Sequence, residues 1–315
     1  MATLLTIKEK MKLVYAEYSK IIMPIIKALI AFLMLLAIND KIGYNKSISS
    51  IIAVAGLTAL CAFTPRMITV LIGCVVVLVH LSALSFEVAL VTLAIFLVMV
   101  LLYTRFCGKE VLLLVLVPLS FYFKIPYVAP LVTGILCVPS AALTLGCGII
   151  IHYYIDYIAV NAITIQGMAA SASVEKVRLV LDGLMQNEAM ILTLVSFVVA
   201  TFVVYILRRQ SIDHAWSMAI FSGAMTNVIL NFMGMLILDH GPSILGLLVG
   251  TIIAIPIAVV AAFFFIGVDY SRTEKVQFED EDYYYYVKAV PKMKIQAPSK
   301  TVKRINTQKY RTHHK

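Results

Sequence analysis

Charged and strongly polar side chains rarely interrupt the apolar runs of this sequence, so the few that do carry whatever chemistry the runs can perform. Inside a bilayer each is costly and marks a functional hypothesis by default. His152 and Asp156 stand one helical turn apart, His80 and Glu87 flank a short break between two apolar runs, and Asp239 precedes His240. Imidazoles and carboxylates gathered at one membrane face can bind a cation or pass protons. These six residues therefore form a possible external proton or cation cluster. The plainer reading is that interfacial His and Asp meet water and headgroups. His152, Tyr153, Tyr154, Asp156 and Tyr157 also read as an aromatic belt that anchors a helix.

A second pattern is amidic. Gly223, Asn227, Asn231 and Gly234 follow helical spacing, with Ser222 and Thr226 beside them. Two carboxamides in hydrocarbon need partners, and small residues let another helix come close enough to supply them. They serve either as a helix contact or as the lining of a solute path. A third pattern is the set Pro118, Pro126, Pro130 and Pro139, which cuts one apolar stretch into Val111 to Phe123 and Ile125 to Val138, with Lys124 between. Backbone freed by proline at membrane depth must be buried in protein or line a polar cavity. Such broken helices point to binding sites, although prolines also simply kink ordinary spans.

No phosphate-binding loop, H-E-x-x-H pair or G-x-S-x-G nucleophile occurs. The five cysteines are odd in number and scattered, without metal-ligand spacing, and read as small buried hydrophobes. No metal and no cofactor is expected.

The elements that would hold these residues are set by composition. At 61% hydrophobic and 14% charged, the chain is far too apolar for a soluble domain, which carries about 25% charge. The expected fold is an all-α, polytopic transmembrane helix bundle. Apolar runs at Ile21–Ile38, Ile48–Phe63, Met67–Leu84, Val88–Tyr103, the two proline-cut pieces, Ala141–Ile158, Ala189–Leu207, Ala215–Leu238 and Ile244–Val268 give ten candidate spans. The number becomes eight if Val111 to Val138 is a re-entrant hairpin. Six short spans crowded between Ile48 and Ile158 look loosely like the membrane cores of vitamin-uptake binding subunits or of cell-shape proteins, an analogy of layout that no motif accompanies.

Before the first run, residues 1–20 form a basic amphipathic helix, with Thr6 and Glu9 in the relation of a capping box. Its basic face suits an anionic leaflet, and packing against the bundle fits equally well. Lys27 is expected to snorkel to the interface. Residues 171–188 read as a surface helix with Val174, Val177, Leu181 and Leu184 on one side and Ser171 or Ser173 as its cap.

Residues 269–315 form a tail, acidic, then tyrosine-rich, then basic and disordered. Lys292, Lys294, Lys303 and Arg304 are candidate contacts for anionic lipid or a partner. Tyr283 to Val290 is rich in β-formers and could add a strand to a cytoplasmic partner protein. Nucleic acid is the weaker partner, and the oligomeric state is not legible.

Positive charge decides orientation. With the N-terminus inside, Lys8, Lys10, Lys12, Lys20, Arg66, Arg105, Lys109, Arg208 and Arg209 lie inside, nine in all, against five outside: Lys41, Lys46, Lys124, Lys176 and Arg178. Both termini are expected to be cytoplasmic, in a bacterial-type plasma membrane. The function expected first is a permease or transporter for a small neutral or lipid-like solute, and an enzyme is not favoured. The alternatives are a scaffold acting through its tail and an intramembrane enzyme using His152 and Asp156 as acid and base.

Overall fold

The structure, a computed structural model, describes residues 2–106, 110–169, 172–210, 212, 214–238, 243–265 and 274–289. Among them are helices α1 (Ala2–Ile42), α2 (Ile51–Phe63), α3 (Arg66–Leu84), α4 (Phe86–Phe106), α5 (Leu113–Tyr122), α6 (Val128–Leu136), α7 (Ala141–Val160), α8 (Ala162–Gly167), α9 (Ser173–Met185), α10 (Glu188–Leu207), α11 (Ala215–Leu238) and α12 (Ile244–Phe265). Strands β1 (Glu274–Glu279) and β2 (Tyr284–Ala289) follow.

Among the described residues six helices are long and apolar enough to cross a membrane: Leu13–Ile42 within α1, then α3, α7, α10, α11 and α12. This corrects the expectation of ten spans. An apolar run is not a helix of the same length, because local chemistry ends the helix first. Ser47, Ser49 and Ser50 bond within the turn after α1 and cap α2. Together with Pro65 ahead of α3 they leave α2 with 13 residues, about 20 Å against the ~30 Å of hydrocarbon. The proline-cut stretch folds as α5 with 10 residues and α6 with 9. The apolar part of α4 is Phe86–Leu102. An even number of such helices is consistent with both ends of the bundle on one side.

Packing divides the helices into two groups that share one wall. Buried side chains of α1 to α4, the start of α5, α8 and α9 form one cluster; those of α6, α10, α11 and α12 form the other. Helix α7 serves both, presenting Cys147, Tyr154 and Ile158 to the first and Leu145 and Ile149 to the second. Its Gly148 lets α5 lie against it, since a Cβ there would sit 2.7 Å from Val117 Cβ.

Helices α5 and α6 form a hairpin of half-length elements. Lys124, at φ 60°, turns the chain between them. At the far end Arg208 donates to the Cys137 carbonyl at 2.8 Å, and midway Thr201 donates to the Pro130 carbonyl at 3.3 Å.

Several local expectations change. Helix α1 begins at Ala2, ahead of Thr6, so Thr6 does not cap it; a kink at Tyr18 separates the amphipathic segment from the span. The first segment folds back on the bundle, where buried Lys8 donates to the Phe263 carbonyl near the end of α12. Lys27 donates to the Thr64 carbonyl at 3.1 Å, at the end of α2. In α9 the buried residues are Lys176 and Val180, whereas Val174 is 80% exposed. The helix is rolled away from the face that apolar spacing selects because Lys176 is drawn to Glu87, 3.9 Å away. Ala172 holds the cap position, and Ser173 serves Glu87 instead.

The tail is also not wholly without structure. β1 and β2 pair antiparallel with Val276 opposite Val287 and Phe278 opposite Tyr285. The Phe278 and Tyr285 rings stack at 5.0 Å. Asp280 closes the turn by accepting from the amides of Asp282 and Tyr283, the local bonding that makes Asp a turn residue. Composition alone hid this two-residue alternation. Lys292, Lys294, Lys303 and Arg304 lie outside the described residues, as do Asp239 and His240.

One packing constraint is directly testable. A Cβ on Gly134 of α6 would stand 2.6 Å from Val204 Cβ and 2.9 Å from the Thr201 carbonyl oxygen, whereas one on Gly56 of α2 meets nothing within 4 Å. Gly134→Ala should therefore destabilise the protein by about 1–3 kcal/mol. Gly56→Ala should be neutral or stabilising by up to about 1 kcal/mol. Thermal unfolding of both variants in detergent measures the contrast.

Candidate functional site

A cavity of about 360 Å³ opens among α1, α3, α4, α5 and α7, within the range of small-molecule sites. Its body is apolar: Met34, Val77, Phe96, Met99, Leu114 and Ile151 are among the residues around it, with Gly73 keeping one wall thin. Its charged lining residues are Asp40, Lys41, Lys124 and Asp156, accompanied by His152. These cluster where α1 ends, α7 nears its end and the α5–α6 hairpin turns.

Each polar group is held by a different element. Lys41, in the last turn of α1, forms an ion pair with Asp156 of α7, both side chains being about 40% exposed. The His152 ring stacks on Phe121 of α5, centroids 4.1 Å apart at 18°. Lys124 and Asp40 join no ion pair among the described residues. The rim thus offers one unpaired ammonium and one unpaired carboxylate beside a neutralised pair. Such a site can seat a solute with a long apolar body and a polar end, and hold that end near water.

Of the six residues of the expected external cluster, the four that are described do not form one group. His80 is fully buried; its Nδ1 accepts from the Asn45 amide at 3.2 Å and its Nε2 meets Asn39 Oδ1 at 3.0 Å, which ties the turn after α1 to α3. Glu87 accepts from the Ser85 hydroxyl at 2.6 Å and the Ser173 hydroxyl at 2.9 Å. His152 and Asp156 border the cavity. Asp239 and His240 lie outside the described residues. No group of three or more His, Cys, Asp or Glu side chains suited to a metal ion occurs among the described residues.

Asn227 and Asn231 are each about 1% exposed and face α10, not the cavity. The Asn231 amide donates to the Asn227 side-chain oxygen at 2.8 Å and to the Ser196 hydroxyl at 3.0 Å. Thr226 bonds back to the Ser222 carbonyl, and Gly223 admits Val204 of α10, whose Cγ2 lies 2.1 Å from where a Cβ would be. A further bond joins α10 to α7, between Thr193 and the Tyr153 hydroxyl at 2.8 Å. Of the four prolines, Pro118 lines the cavity, Pro130 is buried in α6, and Pro126 and Pro139 stand at the starts of turns into helices.

Sequence reading used Lys41 and Lys124 to orient the chain, with Lys124 also marking the break between the proline-cut pieces, and gave no site role to Asp40, Gly73 or Phe121. The available signal was position: all three charges sit at the edge of apolar runs on the same predicted face. No protein-family model matches the chain, and neither does any curated protein or solved structure.

Two outcomes are expected. Asn231→Leu leaves the Ser196 hydroxyl and the Asn227 carboxamide short of a partner, and should lower stability by about 1–3 kcal/mol, read by thermal unfolding. Glu87 lies outside the six spans, and hydrogen bonds from Ser85, its own backbone amide and Ser173 hold its carboxyl down at about 2, against 4.5 for a free glutamate. A carboxyl depressed in the folded state stabilises it above the ordinary value and loses that contribution as pH falls toward the folded one. Hydrogen-exchange protection of α9, corrected for intrinsic rates, should therefore fall between pH 4.5 and about 2. Ser173→Ala should move the loss to higher pH.

Proposed function

We propose that this multi-pass membrane protein is a permease-type carrier of a lipid-like solute, which it admits to the cavity among α1, α3, α4, α5 and α7. The observation that supports the reading is the separation within that cavity of an apolar body from a charged rim. An amphiphile matches it end for end: methylenes gain burial in the body, and a polar group meets Lys124 and Asp40 at the rim. A small apolar-bodied neutral solute fits the same description less fully, because it leaves the rim unused. Helix α5, proline-cut at Pro118 and joined to α6 through the positive-φ turn at Lys124, is the wall best suited to move.

The charge count inclines both termini to the cytoplasm of a plasma membrane, and the basic tail then faces anionic lipid.

A second reading, a scaffold that engages a cytoplasmic protein, draws on the hairpin. Val276, Phe278, Tyr285 and Val287 form one face and are 37% to 52% exposed. An isolated two-strand hairpin is marginal in water without further packing.

The two readings differ in what they tolerate. Reconstituted vesicles carrying a fluorescent single-chain lipid on one leaflet measure transbilayer movement. Wild-type protein should accelerate it, truncation of residues 274–315 should leave it unchanged, and Gly73→Leu should abolish it by projecting into the cavity past Met34. Wild-type movement no faster than in protein-free vesicles would sink the carrier reading.

A further inference from the structure

At the opposite end of the bundle a second, open cleft of about 520 Å³ lies between Ile135 and Leu136 of α6, Arg208 and Arg209 at the end of α10, Trp216 in the first turn of α11, and Phe265 at the end of α12. Four helix ends meet there. Its charged lining residues are the two arginines.

Arg208 donates one Nη2–H to the Cys137 carbonyl at 2.8 Å, and its guanidinium lies over the rings of Tyr205 at 4.8 Å and Trp216 at 5.7 Å. Arg209 donates to the Tyr205 hydroxyl at 2.6 Å and lies 5.3 Å from the same ring. A guanidinium carries five donors, so these bonds orient both groups and leave most of their capacity unused. Neither arginine forms an ion pair among the described residues; Glu110 lies within electrostatic reach of Cys137 but pairs with neither. Helix α11 starts at Ala215, and the positive end of its dipole lies at the same place.

The chemistry of the cleft is therefore two pre-oriented forks beside aromatic and aliphatic walls. Planar guanidinium groups match phosphate oxygens bidentately. Ile135, Leu136, Trp216 and Phe265 offer a free, fully hydrated anion nothing, but they suit the glycerol and first methylenes of a lipid. Basic pockets between membrane helices take acidic headgroups in this way.

We propose that this cleft binds the phosphate of an anionic phospholipid, gripped by Arg208 and Arg209 and flanked by Trp216 and Phe265. The site shares no residue with the cavity assigned to the carried solute, so either assignment can fail without the other.

Trp216 is the one tryptophan in the chain, and its fluorescence reports this cleft alone. Full-length protein in neutral detergent is titrated with short-chain phosphatidylglycerol, with phosphatidylcholine of the same chain length, and with sodium phosphate. Phosphatidylglycerol should change the emission saturably, phosphatidylcholine should need about 25-fold more for the same change, given two cationic contacts at about fivefold each, and sodium phosphate should have no effect. Arg209→Gln leaves the Arg208–Cys137 bond in place and should weaken the phosphatidylglycerol response by about fivefold, with Arg209→Lys affected less. The proposal is overturned by equal responses to the two lipids, by a response to sodium phosphate alone, or by an Arg209→Gln variant that titrates like the wild type. A folded Arg209→Gln protein is confirmed by an unchanged elution volume and melting temperature.

Discussion

Hydrocarbon cannot hydrogen-bond a peptide group, and the architecture of this protein follows from the one place where that rule is strained. Between Val111 and Pro139 the chain breaks, reverses and breaks again, exposing carbonyls that no regular helix would leave open. Protein meets them from the side. Thr201 and Arg208 of α10 reach the Pro130 and Cys137 carbonyls, while α7 lies flush along α5 because Gly148 leaves room for Val117. The half-length hairpin can persist only where full-length helices stand against it on both sides. That requirement places α7 and α10 at the middle of the bundle and gives α7 two buried faces.

Several other buried or half-buried polar groups obey the same rule. Asn231 spends its donors on Asn227 and Ser196, His80 is engaged at both nitrogens, and Glu87 gathers two hydroxyls beside Lys176. Against that background the rim of the first cavity and the arginine cleft at the other end stand apart. They hold charges whose donors and acceptors the protein leaves largely unanswered, and in a bilayer the available partners are water, headgroups and solutes.

Much of this was legible in the sequence where the signal is local, and illegible where it is not. The membrane class follows from composition, and the shared face of Asn227 and Asn231 from their four-residue spacing; their bond to each other does not. Span number does not follow, because an apolar run states what lipid will tolerate and says nothing of where serines, asparagines and prolines stop the helix; Ile48 to Phe63 lost its ends that way. The roll of α9 was missed because a lysine counts as polar in any periodicity, yet Lys176 is buried by its attraction to Glu87, 89 positions earlier in the chain. Lys41 and Asp156 are 115 residues apart, and no spacing rule pairs them. Half of the β-hairpin was legible: Tyr283 to Val290 reads as β-forming and contains β2, whereas its partner β1, Glu274–Glu279, was read as part of the disordered tail.

That separation of Lys41 from Asp156 bears on how the molecule is made. The walls of the first cavity come from α1, α3 and α4, which emerge first from the ribosome, and from α5 and α7, which follow them. Chains are built N-terminal first, at about 5–20 residues per second, so for several seconds the future lining of α1, α3 and α4 lacks its α7 wall and rests against acyl chains. When α7 docks and its carboxylate finds Lys41, it closes over hydrocarbon that is already there. The cavity is thus never an empty chamber waiting to be filled, and any native occupant must enter by exchange with the lipid present at its assembly.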